Sequence, residues 1–279
     1  MVEFIDNDLL NRIFTRSSLR VLMDKKTSNL YQEIVRQYFC DSDCKNNRQI
    51  IEKIYFCLSR QYRNEYFYKN TLLNRLLLGI YSLRTSTVLT EVPVAKSKAD
   101  FIFINGHAVV YEIKSELDNY ERLAGQVKDY YKAFSYVVVV TGRDDSRSID
   151  KFIPQTTGIC IIDKNGHHSM LREPIECTTG LRKKELFKLL RKREYEQILQ
   201  EQFGKLPLAN DFEYYDICEK WFCKMNCVVA QKKVIEILKK RSSVDSTLFK
   251  MVPYELKMLV YGMKLKLEDF KKLNEFLYV

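Results

Sequence analysis

The chain has 279 residues, which is enough for one large domain or two modest domains. Hydrophobic residues make up 46% of it and aromatic residues 13%, so the composition predicts a packed core and excludes a largely disordered protein. The formal net charge of +10 suits a polyanionic partner such as nucleic acid, but charge alone does not identify one.

The first residues and the lengths of the apolar runs indicate the cellular compartment in which we expect the protein. The first six residues, MVEFID, are acidic and too short in apolar length for a signal peptide. The sequence has no apolar run of membrane-spanning length. We therefore expect a cytoplasmic protein that makes no membrane contact, with its eight cysteines present as reduced thiols rather than disulfides.

Residues 1–60 have the apolar spacing of helices. Asp6 is a candidate N-cap for one helix, Ser28 or Asn29 for another and Asn46 for a third. This part of the sequence therefore predicts a helical N-terminal extension.

A longer helix is predicted for residues 64–80 from its stripe of leucines. Glu65 lies in the first turn and projects near the apolar face, although the helix dipole alone also favours a glutamate there. The next segment, Thr87–Val94, has the composition of a first strand and contains Glu91. The Glu91 carboxylate is an alternative to Glu65 as a functional group, or it pairs with a nearby lysine.

Three ionisable residues interrupt two apolar β-runs that flank an Asn-Gly turn. Residues 101–104 are β-branched and aromatic, and residues 108–113 form the second run. The ionisable residues are Asp100, Glu112 and Lys114. Because charged groups are rarely buried without a partner, their presence in strands requires an explanation.

The length of the turn decides where Asp100 lies. A two-residue loop would place Asp100 opposite Tyr111, whereas a three-residue loop that includes His107, or a bulge, would place it opposite Glu112. We expect the second register. Two carboxylates at cross-strand distance repel unless a cation lies between them, and their oxygens favour Mg²⁺ or Mn²⁺. Lys114, on the same face as Glu112, would then orient or deprotonate a water.

The chain then continues with a helix and further strands. Asp118 is the expected N-cap of the helix, with Glu121 completing a capping box. Gln126 and Tyr130 are spaced i, i+4 and therefore lie on one face of it; an ordinary amphipathic helix with a buried tyrosine is the alternative to a role in a site. Residues 136–141 predict a central strand covered on both faces, residues 158–163 another strand, and Asn-Gly at 165–166 a hairpin.

After residue 174 the sequence becomes helical and basic. One helix is predicted over residues 181–200, ended by Gly204 and Pro207. Its basic residues are candidate contacts to a phosphate backbone, and a solvated basic helix is the alternative. With Lys98 from the hairpin, these candidates are Arg182, Lys183, Lys184 and Arg191.

Three cysteines in the same region raise the question of an iron–sulfur cluster. They are Cys218, Cys223 and Cys227. Their spacing matches no cluster pattern, so buried structural thiols are the favoured interpretation.

Two motifs carry a resemblance to a known family. Asp100, followed by the EIK tripeptide that begins at Glu112, resembles the D…(D/E)xK signature of the PD-(D/E)XK nuclease superfamily, although Ala99 stands where the name has proline. The pentapeptide QVKDY, from Gln126 to Tyr130, is similar to the QxxxY motif of the RecB-like branch. The arrangement from residue 64 to residue 174 also resembles a poorly characterised bacterial and phage family of that superfamily.

The resemblance implies an α/β fold with a restriction-endonuclease-like αβββαβ core. Members often carry an additional acidic ligand on the first helix, so Glu65 or the Ile113 carbonyl would complete a metal shell begun by the two acids. Lys114 would position or activate water, and the QxxxY residues would hold substrate and lysine. The implied catalytic residues are Asp100, Glu112, Lys114, Gln126 and Tyr130.

Together these observations predict three segments and one activity. The segments are a helical extension over residues 1–60, a nuclease core over 61–175 and a basic helical region over 176–279. We expect a nuclease that uses Mg²⁺ or Mn²⁺ to hydrolyse phosphodiester bonds, with DNA as the expected substrate. The alternative is a nuclease-like fold that binds nucleic acid or a protein partner without turnover.

Overall fold

The computed structural model describes residues 6–40, 43–80, 83–142, 146–241 and 244–279. Residues 1–5, which contributed to the expectation about a signal peptide, lie outside these ranges. The chain forms two compact units. Unit 1 comprises Met1–Arg84, Ile162–His167 and Ser243–Val279, and unit 2 comprises Thr85–Ile161 and His168–Ser242. Each unit combines stretches that are distant in sequence, so the units group the chain differently from the three predicted segments.

Helices and strands alternate only in the middle of the chain. Up to the hairpin, the elements are α1 (Asn7–Asn11), α2 (Arg16–Lys25), α3 (Asn29–Tyr38), α4 (Asn47–Gln61), α5 (Glu65–Asn74), β1 (Thr87–Val94), β2 (Ser97–Asn105) and β3 (His107–Lys114). They are followed by α6 (Leu123–Tyr130), β4 (Tyr136–Thr141), α7 (Ser146–Ile149), β5 (Gly158–Ile162) and β6 (His168–Arg172). The remaining helices are α8 (Lys183–Lys188), α9 (Lys192–Phe203), α10 (Asp211–Phe222), α11 (Cys227–Lys239), α12 (Ser246–Met251), α13 (Lys257–Met263) and α14 (Leu267–Leu277).

Unit 1 is built from capped helices. The side chains of Asp6, Ser28 and Asn46 each accept a hydrogen bond from the backbone amide three residues later, as predicted, with Ser28 rather than Asn29 serving as the cap. Thr15 caps α2, a helix that the sequence had not predicted. The predicted helix over residues 64–80 is present as α5, continued by a π-helical turn.

A buried asparagine ties the C-terminal segment of unit 1 to α5. The Nδ2 of Asn70 donates to the carbonyl of Tyr254 (3.0 Å), and its Oδ1 accepts from the backbone amide of Met258 (3.0 Å). Asn74, one turn later, donates to the same Tyr254 carbonyl (3.3 Å). Because a buried amide left without partners is costly, these bonds fix the position of Tyr254.

Unit 2 contains a six-stranded mixed sheet with the strand order β1-β2-β3-β4-β5-β6. The pairs β1–β2 and β2–β3 are antiparallel, and β3–β4 and β4–β5 are parallel. Residues 137–141 of β4 are buried, as predicted for a central strand. The strands β5 and β6 are joined by a turn in which Gly166 adopts a φ of +77°, which a glycine adopts without strain.

Helices cover the sheet and complete the core of unit 2. One hydrophobic cluster contains Val127 of α6, Val110 and Val139 of the sheet, Phe187 of α8 and Phe222 of α10. Each fully buried side chain of this size contributes about 1.5–3 kcal/mol relative to exposure. The fold is therefore an α/β fold with a mixed sheet, flanking helices and helical extensions, and the order α5-β1-β2-β3-α6-β4 confirms the predicted αβββαβ sequence of elements.

Two helix predictions were wrong. Asp118 does not cap α6, because its carboxylate accepts hydrogen bonds from the backbone amide (2.8 Å) and hydroxyl (2.7 Å) of Ser115 at the end of β3. The single helix expected over residues 181–200 is divided into α8 and α9, because Arg191 adopts extended backbone and its amide donates to the Glu194 carboxylate (2.6 Å). Gly204 ends α9 as predicted, with a φ of +73°.

None of the helices in the described ranges is both long enough and apolar enough to span a membrane.

Candidate active site

The hairpin between β2 and β3 brings Asp100 level with Glu112. Antiparallel pairing runs from the turn to Phe101 and Tyr111, which pair with each other, so the next position along each strand is Asp100 and Glu112. This is the register expected for a turn that includes His107, and it is confirmed. The two acids therefore start from neighbouring positions on adjacent strands.

The Asp100 side chain bonds to the backbone of β3 beyond the last paired residues. Its Oδ2 accepts a hydrogen bond of 2.9 Å from the backbone amide of Ile113. Side chains that are level on adjacent strands point to the same face of a sheet, so this register sets Asp100 and Glu112 on one face, where Tyr130 of α6 contacts Glu112. The predicted convergence of Asp100 and Glu112 on one face is present.

Glu91 joins Asp100 from the other neighbouring strand. The pairs that flank it in β1–β2, Thr90 with Phe101 and Val92 with Ala99, place Glu91 across from Asp100. Carboxylate oxygens of Glu91 and Asp100 lie within 4.8 Å of each other.

The backbone at Glu91 is unusual for a strand. Its φ is +57°, in the left-handed region that side chains other than glycine rarely adopt. Such conformations cost free energy and occur preferentially at functional sites. The Glu91 carboxylate also forms an ion pair with the Lys98 ammonium, whose side chain is 60% exposed.

Glu112 lies in a buried hydrogen-bond network. The Tyr130 hydroxyl donates to Oε2 of Glu112 (2.6 Å), and the Lys114 ammonium lies 3.1 Å from its Oε1. The same ammonium donates to Oε1 of Gln126 (2.9 Å). The structure thus brings four of the predicted catalytic residues into direct contact, and two of them come from α6.

Burial and charge fix the protonation state of Tyr130. Its side chain is fully buried, and burial together with the neighbouring Glu112 carboxylate raises the pKa of the phenol far above its usual range. The phenol therefore stays neutral at any physiological pH. It acts as a donor that holds Glu112, and in addition it contacts the backbone carbonyl of Lys98 (2.9 Å).

Asp129 attaches α6 to the turn between β1 and β2. Its Oδ2 accepts from the Ser97 hydroxyl (2.7 Å) and the Lys96 amide (3.2 Å), and its Oδ1 lies 2.6 Å from the Lys132 ammonium. Burial opposes ionisation of Asp129, but the hydrogen bonds from Lys132 and Ser97 outweigh it and lower its pKa. Because Gln126 and Tyr130 flank Asp129 on α6, this anchor fixes the helix that carries them.

The other two predicted metal ligands each make a contact of their own. Glu65 is the first residue of α5 in unit 1, where its carboxylate forms an ion pair with the Lys69 ammonium. Its role as a ligand stays a prediction. Ile113 donates its amide to Asp100, and the role of its carbonyl also stays a prediction.

The predicted phosphate contacts differ in how far they face solvent. Arg182, Lys184 and Arg191 are exposed, and Lys184 forms an ion pair of 2.9 Å with Glu219. Lys183 is directed inward, where its ammonium donates to the carbonyls of Cys223 and Met225 (3.3 Å for the second). Lys183 therefore caps the C-terminal end of α10, and this inward position argues against it as a contact to nucleic acid.

Burial affects the pKa of two of the three cysteines in this region. Cys218 is fully buried, and burial raises the pKa of both Cys218 and Cys223. A raised pKa disfavours the thiolate that a metal cluster needs. Cys218 is therefore a buried thiol, as predicted, whereas Cys223 and Cys227 are only half-buried.

The acids of this site suit a small divalent cation. Glu91 and Asp100 offer oxygen donors at close range, and both side chains are partly exposed, so an ion with bound waters has access. Carboxylates held this close also repel each other, which a cation would relieve. The oxygen donors of Glu91 and Asp100 could therefore hold Mg²⁺ or Mn²⁺.

Two residues near the site escaped the sequence analysis. Asp129 lies inside the QVKDY pentapeptide, and its position on an amphipathic helix gave no sign of a partner in another element. Thr141 pairs with Lys114 across β3 and β4 and is fully buried, and its hydroxyl has no hydrogen-bond partner in the described part of the chain. The one sequence signal for a buried hydroxyl at Thr141 was its position at the end of an apolar strand.

Comparisons with known proteins identify the family. The sequence model of bacteriophage P4 protein cII matches residues 59–259. A curated relative, protein cII of Enterobacteria phage P4, is 26% identical over 173 residues, which cover 60% of this chain and 64% of that protein. The match thus spans less than two thirds of the relative's length.

A solved structure of a protein of unknown function from Silicibacter pomeroyi is also similar, with 13% identity and a TM-score of 0.30. The similarity covers 46% of this chain and 87% of that one, and its score is too low to bear on the fold. The family model, in contrast, covers most of the chain. The chain belongs to the bacteriophage P4 protein cII family.

Proposed function

We propose that this protein is a divalent-metal-dependent nuclease that hydrolyses phosphodiester bonds in DNA. The observation that carries the proposal is the contact of Lys114 with both Glu112 (3.1 Å) and Gln126 (2.9 Å), at the end of the strand whose Ile113 amide binds Asp100. An amine held between a carboxylate and an amide, next to further carboxylates, is suited to phosphoryl chemistry.

The acids divide into two roles. Asp100 and Glu91, with Glu112, would hold Mg²⁺ or Mn²⁺, and Glu65 remains a further candidate from unit 1. When bound, the ion lowers the pKa of a coordinated water and neutralises charge on the phosphate. Asp100 is itself held by the Ile113 amide, which fixes the direction of its carboxylate.

Lys114 supplies a hydrogen-bond donor for the proposed reaction. An ammonium has three N–H donors, and Glu112 and Gln126 accept two of them. The third is available to the attacking water or to a phosphate oxygen. The water oxygen forms the new bond to phosphorus while the bond to the leaving oxygen breaks; the water gives up a proton and the leaving oxygen takes one up. Tyr130 holds Glu112 and takes no part in proton transfer, because its phenol stays neutral.

Charge and family membership support the choice of substrate and source. The net charge of +10 favours a polyanion, and the exposed basic residues Arg182, Lys184 and Arg191 are candidate backbone contacts. The family model is that of a phage protein, which supports a phage or a bacterial source and action in the cytoplasm.

A second function is favoured by one observation. Both carboxylate oxygens of Glu112 already have protein donors, Tyr130 at Oε2 and Lys114 at Oε1. A carboxylate satisfied in this way is stable without a metal. This arrangement also suits a non-catalytic protein that binds nucleic acid or another protein.

A metal-titrated cleavage assay tests the proposal. Purified protein is incubated with single-stranded DNA, duplex DNA or RNA while Mg²⁺ or Mn²⁺ is raised from zero. Metal-dependent cleavage that Asp100→Asn removes would support a nuclease. Binding of DNA with no cleavage at any metal concentration would support the non-catalytic alternative.

A further inference from the structure

Unit 1 contains a cavity of about 300 Å³ that has no part in the site described above. Its walls come from α4, from Phe67 of α5, from the turn before α13 and from the turn between β5 and β6. All four stretches belong to unit 1. A cavity of this size lies at the small end of ligand pockets, which suits one small ligand rather than a duplex.

Two exposed aromatic rings line this cavity. The Phe56 side chain is 58% exposed and the Tyr254 side chain is 41% exposed. The Tyr254 ring packs edge-on against the buried Tyr55 (5.9 Å between centroids), and its backbone carbonyl is held by Asn70 and Asn74. Phe56 therefore offers an exposed ring with the Arg60 guanidinium over one face, and Tyr254 offers a fixed wall of the same cavity. Exposed aromatic rings of this kind stack with nucleobases.

Two cations lie at the same cavity. The Arg60 guanidinium is 5.2 Å from the centroid of the Phe56 ring, and Lys164 is exposed on the turn that follows β5. That turn is rigid, because Oδ1 of Asp163 accepts from the amides of Asn165 (2.8 Å) and His167 (2.9 Å). Within the described ranges, neither Arg60 nor Lys164 forms an ion pair with a carboxylate. Both charges are thus available to an anionic ligand.

Two carboxylates complete the lining. Glu52 is exposed on α4, and Glu255 is half-buried in the turn before α13. Burial, with a further contribution from the charge of Glu52, raises the pKa of Glu255. Carboxylates accept hydrogen bonds from the amino groups of nucleobases. A ligand with aromatic, donor and anionic parts would use all three kinds of side chain.

We propose that this cavity binds a single nucleotide, with its base stacked on Phe56, its amino edge at Glu52 and Glu255, and its phosphate at Arg60 and Lys164. The nucleotide is either free or part of a single strand. Bases that carry an exocyclic amine bind more tightly than uracil, because only they present that donor to the acids. The proposal does not depend on the nuclease activity, since the two sites share no residue.

Binding is measured on the full-length protein in EDTA, so that cleavage cannot interfere. Isothermal titration with GMP, CMP, AMP, UMP and guanosine tests the base and the phosphate separately. We expect GMP to bind at least about tenfold more tightly than guanosine, because guanosine lacks the group that Arg60 and Lys164 contact. Fluorescence anisotropy with a labelled single-stranded oligonucleotide tests the other source: tighter binding of the strand assigns the strand, and tighter binding of GMP assigns the free nucleotide.

Variants separate this site from the rest of the surface. Phe56→Ala should weaken binding by about tenfold or more, because stacking on the ring is lost. Phe212→Ala is the matched control, since Phe212 is 97% exposed on α10 of unit 2 and should leave binding unchanged. Both side chains are exposed, so both variants should fold. Absence of saturable binding by every nucleotide and by the strand, or equal binding by wild type and Phe56→Ala, would overturn the proposal.

Discussion

The hydroxyl of Tyr130 donates a hydrogen bond of 2.6 Å to the buried carboxylate of Glu112. Glu112 is 1% exposed, so water does not replace this donor when it is removed. A hydrogen bond to a charged group contributes about 1.5–3 kcal/mol, roughly twice as much as a bond between neutral groups. The contact therefore links the stability of unit 2 to the geometry of its site.

Tyr130→Phe should lower the free energy of unfolding by about 2–3 kcal/mol, because Glu112 is left buried with one donor fewer. Denaturant unfolding measures this change. Tyr131→Phe is the control: the neighbouring tyrosine is also buried, but its hydroxyl bonds to the neutral Thr157 hydroxyl (3.1 Å), so its loss should cost only about 1 kcal/mol. Equal losses in the two variants would show that the Glu112 contact is not special.

Glu91→Gly should separate stability from activity. The φ of +57° at Glu91 is unfavourable for a glutamate and free for glycine, so stability should hold or rise by up to about 1 kcal/mol. The exposed ion pair with Lys98 contributes little stability, so its loss should not offset this gain. Loss of the carboxylate next to Asp100 should raise the Mg²⁺ concentration needed for cleavage by about tenfold or more.

Ala95→Gly provides the control for Glu91→Gly. Ala95 has a φ of +54° in the two-residue turn between β1 and β2, where glycine is the preferred residue. It should gain similar stability, by thermal unfolding, with no change in metal requirement. If Glu91→Gly cleaved DNA at the wild-type Mg²⁺ concentration, Glu91 would not be a ligand, and Glu65 would be the remaining candidate for the additional acid.

Thr141→Val should stabilise the protein by about 1 kcal/mol. The Thr141 hydroxyl is fully buried without a partner among the described residues, and an isosteric methyl group removes its desolvation cost. Thr157→Val should do the opposite and cost about 1–3 kcal/mol, because it removes the partner of the Tyr131 hydroxyl. Chemical denaturation of both variants checks this pair; a destabilised Thr141→Val would mean that the hydroxyl has a partner such as a bound water.

Lys257 makes stability depend on pH. Burial lowers its pKa to about 8, and its ammonium donates to the carbonyls of Phe249 (2.9 Å) and Val252 (2.6 Å). Between that value and the ordinary 10.5, the unfolded chain binds more protons than the folded chain, so stability rises with pH. From about pH 7.5 to about pH 9.5, wild type should gain roughly 2 kcal/mol relative to Lys257→Met. A difference that stays constant over this range would contradict the lowered pKa.

The hairpin could be predicted because local rules and burial agreed there. The Asn-Gly turn and the alternation of apolar residues limited the register to two possibilities, and only one of them placed Asp100 level with Glu112. The spacing of Gln126 and Tyr130 likewise set both on one face of α6, where one contacts Lys114 and the other Glu112. In each case the distance along the chain is short, so geometry follows from the sequence.

Other features depended on which of several hydrogen-bond partners or backbone conformations a residue adopts, and a sequence pattern does not reveal that. Asp118 stands at a position typical of an N-cap. The Asp118 carboxylate instead accepts two hydrogen bonds from Ser115, one from its amide and one from its hydroxyl. The apolar spacing continues through Arg191, so it gave no sign of the break between α8 and α9. The placement of Glu91 beside Asp100 requires a left-handed residue within a strand, which no residue-type preference predicts for glutamate.

Cleavage of DNA by the Lys114→Ala variant tests the central proposal most directly. The control is Lys128→Ala, which removes an exposed lysine from α6 and leaves the network of Glu112 intact. Both proteins are first shown to unfold cooperatively, and cleavage of DNA is then followed at saturating Mg²⁺. We predict that Lys114→Ala loses at least about a hundredfold in rate while Lys128→Ala cleaves as wild type does. Wild-type cleavage by a folded Lys114→Ala protein would contradict the proposed role of this lysine.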